Sequence, residues 1–417
     1  MSFPVLLALP EYRPFLLLRF LVAMGWNMQA VVVSWFVYTL TRDPLMLALL
    51  GAAEAVPAIG AALPMGYLVD TIDKRKAIRI ATVLIVSSAA ITAWLVTPHA
   101  HGVLGRNAIL WALYLMVMIN GAARTMYGPS MFSILALIVP KELIPRASAV
   151  GSTVWQSAMI AGPLLAGIVY GWAGAGTAAL CCVALMIGGG AGGWMLSPKP
   201  PVARLKQGTM RQDLTEGIRF ILATPILVGA LSLDLFAVLF GGVTAILPIY
   251  ADTILHTDER GLGLLRAAMA MGSVVMMVYL SWKPPGAHAG RNLLLAVAGF
   301  GCAMLLFGIS TTFWLSVAAL ACAGMFDSIS VVTRHTILQL HTPDHMRGRV
   351  AAANTMFISS SNELGAVESG IAARLLGTVP SVVFGAMMTF AIVGAVALKA
   401  PSLRRLRIGE PPTSTTP

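Results

Sequence analysis

The chain has 417 residues, 58% of them hydrophobic and 11% charged, with a mean hydropathy of +0.82. Soluble domains carry about twice that charge and roughly 45–50% apolar residues, so the composition excludes an ordinary globular enzyme or binding module. The formal net charge of +11 does not mark a nucleic-acid partner, because the basic residues sit in short loops beside apolar runs, where they set membrane orientation.

Runs of about twenty apolar residues match a helix crossing the hydrocarbon core, and backbone groups in lipid must be satisfied within the segment. Twelve helices are predicted, at 15–40, 45–69, 77–97, 108–138, 148–171, 175–196, 226–251, 261–282, 291–310, 312–340, 350–375 and 379–399. The first carries Trp26, Asn27, Gln29, Trp35 and Tyr38. Such residues suit a largely apolar ligand that needs a few hydrogen bonds; Trp35 and Tyr38 equally fit anchors at the bilayer interface. The second span carries Glu54, and six charges follow between Asp70 and Arg79. In the fourth, Tyr127 follows Arg124 by three residues on one helix face. An Arg beside an aromatic ring suits an anionic or catechol-like substrate, with packing as the alternative for Tyr127.

The longest polar connection, 197–224, starts Pro-rich and continues as a short amphipathic helix from Asp213 to Ile221 on the cytoplasmic surface. Beyond it, Asp234 stands in the seventh span without an obvious local cation, and Arg266 near the outer end of the eighth, where it could snorkel to water. Asp327 and Arg334 share the tenth. Glu363 and Glu368 in the eleventh are expected to anchor that span with Arg374 or neighbouring backbone. The four cysteines lie inside apolar runs without metal-ligand spacing, and no metal or cofactor is expected.

Twenty of the 28 Lys and Arg, counting those at span ends, fall in cytoplasmic segments if the amino terminus is inside, and all seven Lys are among them. That places both termini in the cytoplasm of a multi-pass protein. The halves also repeat: 139–149 lies over 342–352 at an offset of 203 residues. The expected fold is therefore an all-α integral membrane protein of twelve transmembrane helices in two six-helix pseudo-symmetric halves. Residues 1–196 form the N-terminal half, 197–224 the cytoplasmic linker, 225–400 the C-terminal half and 401–417 a cytoplasmic tail.

The loop from Gly66 to Lys76 resembles the G-x-L-x-D-R-x-G-R-R/K signature of the major facilitator superfamily through Gly66, Leu68, Asp70, Lys74 and Arg75. Thr71 departs from the usual Arg, and Asp73 replaces the Gly. Segments 234–241, 342–350 and 361–370 resemble a bacterial branch of siderophore and drug exporters, and 162–167 partly resembles the Gly-Pro motif of drug antiporters. The resemblance implies a substrate site between the halves near the midplane. It also implies a cytoplasmic gate of Gly66, Asp70, Lys74 and Arg75, joined by the repeat-related Arg146 and Arg349.

Charged residues inside spans are functional candidates by default. The repeat sets Arg124 opposite Asp327, and Glu54 opposite Arg266, so each equivalent position carries opposite charges. At least one such pair is expected to bridge in a single access state, with static pairing as the alternative. The substrate-binding candidates are Trp26, Asn27, Gln29, Arg124, Tyr127, Asp327 and Arg334; the proton-coupling candidates are Glu54, Asp234 and Asp327. With no ATP-binding loop in the sequence, proton antiport is the expected energy source. The expected protein is a monomeric exporter of a siderophore or related amphiphile in the bacterial inner membrane. A multidrug antiporter is the alternative, and a nutrient importer comes third.

Overall fold

The computed structural model describes residues 4–61, 65, 68, 69, 72–198, 210–283, 286, 288–343 and 346–407. Twelve helices among them correspond to the expected spans, although the seventh, expected to reach 251, stops at Gly241 and a separate short helix follows at Leu247–Thr253. The first four are α1 Tyr12–Thr41, α2 Pro44–Gly60, α3 Lys74–Leu95 and α4 Arg106–Ile138. The stretch Ile144–Trp194 is broken at Gly174, whose φ of 80° is open to glycine, into α5 (144–173) and α6 (175–194). Then follow α7 Pro225–Gly241, α8 Glu259–Trp282, α9 Ala289–Ile309, α10 Phe313–His341, α11 Arg347–Leu376 and α12 Thr378–Lys399.

Local chemistry sets several helix starts. Asp43 accepts from the Leu45 backbone N–H at 2.9 Å, with Pro44 in the first turn of α2. Asp73, the residue that replaces the signature glycine, caps α3 by accepting from the Arg75 backbone N–H at 2.8 Å. Eight helical stretches among the described residues are long and apolar enough to cross a bilayer alone, with α5 and α6 counted together. The helix α11 is not among them, because Asn354, Ser359, Ser360, Ser361 and Asn362 make its middle polar and charged residues flank that middle.

Packing divides the chain into two compact units. The first holds residues 1–207 with 244–267, and the second holds 208–243 with 268–417. In the first unit the core gathers Tyr12, Phe15, Leu18 and Val22 of α1 with Ile78, Ile85, Met126, Ile134 and Met186. In the second it gathers Leu227, Leu233, Leu293, Val297, Ile337 and Val350. Large apolar side chains such as Phe132, Trp172, Trp282 and Leu398 face outward, as a surface solvated by hydrocarbon permits.

The linker helix Met210–Ala223 meets α7 at a bend of 105°. It packs on the start of α11, where Arg349 pairs with Glu216 at 2.6 Å. The division at 243/244 also assigns the short helix Leu247–Thr253 and the first turns of α8 to the first unit. By covalent order these residues belong to the second half.

Candidate functional site

In the first unit, Arg124 pairs with Glu54 and lies over the Trp26 ring, 4.0 Å from its centroid. The pair is open: the side chains are 38% and 33% exposed, so other groups can reach the guanidinium. Arg266 lies within electrostatic reach of Glu54. It donates to Ser34 Oγ at 3.2 Å and to the Thr244 carbonyl at 3.4 Å, while its buried Nε has no hydrogen-bond partner. A further cation, Arg19, donates from Nε to the Gly151 carbonyl at 2.8 Å and sits 5.6 Å from the Trp155 ring centroid.

Other α1 candidates point elsewhere. Asn27 bonds back to the Ala23 carbonyl at 2.9 Å. The buried Gln29 joins a network between helices, donating to Thr92 Oγ1 at 3.4 Å and accepting from Asn120 at 3.5 Å. Tyr127 is buried in the core with its hydroxyl on the Leu18 carbonyl at 3.3 Å, so the aromatic partner of Arg124 is Trp26 instead.

Trp35 and Tyr38 are not interfacial anchors here, because both are buried. Trp35 Nε1 donates to Glu259 at 3.0 Å, and the Tyr38 hydroxyl donates to Asp252 at 2.7 Å; Arg42 pairs with the same Asp252 oxygen. Glycines of the antiporter-like segment explain how these parts approach. A Cβ on Gly162 would stand 2.7 Å from the Met24 carbonyl of α1, and one on Gly167 2.6 Å from the Glu259 carbonyl of α8. Nothing in the sequence set Asp252 and Glu259 apart from ordinary loop charges.

In the second unit, Asp234 and Arg334 form a pair buried from water, with side chains 7% and 2% exposed. Asp234, Asp327 and Ser330 line one cleft of about 250 Å³, including its open part, with Ala237, Val238, Val297 and Phe300. Asp327 has no hydrogen-bond or ion-pair partner among the described residues, and the buried Ser330 Oγ in the same cleft has none either. The expected lack of a cation beside Asp234 is thus corrected: Arg334, nearly six turns along α10 from its start, supplies one. Glu368 also shows no partner among the described residues, so the expected tie to Arg374 is absent.

The two repeat-related charge pairs are therefore re-partnered: Arg124 takes Glu54 rather than Asp327, and Arg266 takes Ser34 and Thr244 rather than Glu54. Of the residues expected at a cytoplasmic gate, Gly66 and Asp70 lie outside the described residues. Lys74 is buried, with Nζ on the Val69 carbonyl at 2.5 Å. Arg75 holds a buried Nε without a partner, Arg146 sits in the early turns of α5, and Arg349 pairs with Glu216.

A family model described as Major Facilitator Superfamily matches residues 15–366. The enterobactin exporter EntS of Shigella boydii serotype 4 (strain Sb227) is 24% identical over 394 residues, covering 91% of this chain and 86% of its own. The enterobactin exporter EntS of Escherichia coli O139:H28 matches at the same identity and coverage. Among solved structures, an inward-facing bacterial homologue of the iron transporter ferroportin superposes with a TM-score of 0.71 at 14% identity, covering 97% of this chain and 100% of its own. A variant of the nucleoside transporter NupG also reaches 0.71, at 11% identity, covering 93% and 99%. At these identities the solved structures establish the fold, twelve helices in two halves.

Proposed function

The chain belongs to the major facilitator superfamily, and on that premise we propose that this multi-pass membrane transporter exports a siderophore or related small amphiphile, driven by proton antiport. Similarity to enterobactin exporters over most of both lengths supports export of this substrate class. It supports a bacterial inner membrane as the location; the clustering of Lys and Arg supports cytoplasmic termini, and the resemblance of the Gly66–Lys76 loop to the family signature supports a gate there.

The coupling rests on one observation: Asp327 is a carboxyl without a partner among the described residues, in a cleft also lined by Asp234, which Arg334 pairs. An intramembrane carboxylate with no cation on it sheds its charge by binding a proton. Once Asp327 is neutral, Arg334 keeps Asp234 as its counter-ion, and the second unit can change conformation without dragging an unpaired charge. Export then alternates a protonated Asp327 with a substrate-loaded carrier.

A multidrug antiporter is the second reading, because free carboxylates at Asp327 and Glu368 would also attract a lipophilic cation. Everted membrane vesicles containing the chain test both. Addition of a tris-catecholate siderophore should move protons across the vesicle membrane, read by a pH-sensitive dye, and Asp327→Asn should abolish the signal. Proton movement with tetraphenylphosphonium but not with the tris-catecholate would establish the second reading in place of the first.

A further inference from the structure

The interior of the first unit carries a surplus of positive charge. Among the described residues, Arg19, Arg124 and Arg266 have one carboxylate contact between them, Glu54 on Arg124, while two further half-buried carboxylates of the unit, Asp252 and Glu259, are engaged by Tyr38, Arg42 and Trp35. Arg266 has its other contacts on Ser34 and Thr244, and Arg19 makes its described polar contact with a carbonyl, so neither holds a carboxylate partner. Placing guanidinium groups in a membrane interior without counter-ions is unfavourable. An arrangement short of anions is complete only when a further anion arrives.

The geometry says where it would arrive. Arg124 is held from two sides, by the Trp26 ring face below and by Glu54 beside it, and it remains more than a third exposed. A planar guanidinium offers several donors in a fork, of which one carboxylate uses only part. Arg19 and Trp26 are seven residues apart on α1, which is close to two full turns, so the Arg19–Trp155 and Arg124–Trp26 pairs lie along one face, about 10 Å apart in axial rise. Each station presents a cation and an indole, the combination that receives an aromatic ring bearing negative charge.

We propose that Glu54 is an internal stand-in for substrate: an anionic aromatic group, such as a catecholate or benzoate, displaces Glu54 from Arg124 and stacks beside Trp26. A second such group reaches Arg19 and Trp155. Glu54 then determines specificity by competing with every anion the site receives. A cationic ligand gains nothing from Arg124 and is repelled by three arginines. This deepens the export reading by naming the carboxylate that its substrate displaces, and it rests on that reading for the direction of transport only.

Binding to the purified full-length protein in detergent, without any gradient, tests it. The probes are 2,3-dihydroxybenzoate as the anion and tetraphenylphosphonium as the cation. Removing a charged competitor with Glu54→Gln should tighten the anion by about tenfold, and Arg124→Gln should weaken it by at least about that factor. Neither change should tighten the cation. Carbodiimide labelling read by peptide mass spectrometry keeps the test on the wild-type chain if Glu54→Gln folds poorly: the anion should raise modification at Glu54 by freeing its carboxyl. Anion affinity that is unchanged or weaker in Glu54→Gln, or labelling of Glu54 that the anion leaves unaltered, overturns the proposal. Anion binding as expected without substrate-driven proton movement would remove the coupling and leave this site standing. Proton-linked efflux of the cation with no anion binding would do the reverse.

Discussion

The Asp234–Arg334 pair behaves differently from the Arg124–Glu54 pair because water reaches one and not the other. With side chains 7% and 2% exposed, Asp234 and Arg334 have no bulk solvent to fall back on when one of them is removed. Either Asp234→Asn or Arg334→Gln alone strands a buried charge and should cost about 3–5 kcal/mol, whereas the double change should cost much less than the sum. Thermal unfolding of the three purified variants reads this directly, and additive losses would show the two residues to be uncoupled. Asp327→Asn removes no partner, so its unfolding midpoint should stay near that of the wild type. These charges were legible in the sequence because ionisable residues inside apolar runs are rare. Their pairing was not. Arg124 and Asp327 match in the repeat, yet ion pairing depends on helix rotation, which turned Arg124 toward Glu54 seventy residues away. In the same way Trp35 and Tyr38 had the sequence position of interfacial anchors, and packing gave them carboxylate partners instead.

At the scale of helices, the approach of α5 to α8 depends on absent side chains. A Cβ on Gly167 would lie 2.6 Å from the Glu259 carbonyl, and one on Gly263 2.5 Å from the Pro163 carbonyl, so each helix presents a glycine where the other presents backbone. Neither carbonyl can rotate away as a flexible side chain could. Gly167→Ala must therefore push the helices apart, at about 1–3 kcal/mol, and loosen the Trp35–Glu259 contact beside it. Gly128→Ala in α4 is the control, since a Cβ there meets nothing within 4 Å and removes only unfolded-state freedom. Hydrogen exchange across 247–265 should quicken in the first variant and stay as in the wild type in the second. Equal exchange in both would mean that the close approach is not what holds this segment. The six-and-six order of spans was readable from apolar run lengths and loop charge. That 244–267 packs with the first unit was not, because its residues look alike whether they contact α1 and α5 or their own half.

Across the whole molecule, the two units differ in the sign of what they leave uncompensated. Among the described residues, Arg19, Arg124 and Arg266 of the first unit share one carboxylate contact, Glu54, while Asp234, Asp327 and Glu368 of the second share one cation contact, Arg334. A carrier that must take an anionic substrate and a proton in opposite directions needs both kinds of deficit, and holding them on separate units lets one ligand bind without neutralising the other's site. The two activities should then separate by mutation. Asp327→Asn should bind 2,3-dihydroxybenzoate with wild-type affinity in detergent yet give no proton movement when substrate is added to everted vesicles. Arg124→Gln should lose anion binding, and with it any proton signal that depends on substrate, while a passive proton leak through the second unit stays unchanged. Loss of anion binding in Asp327→Asn would place the carboxyl in the substrate's own contact shell. The proton and the substrate would then compete for one site, and coupling would follow from direct exclusion rather than from a division between units.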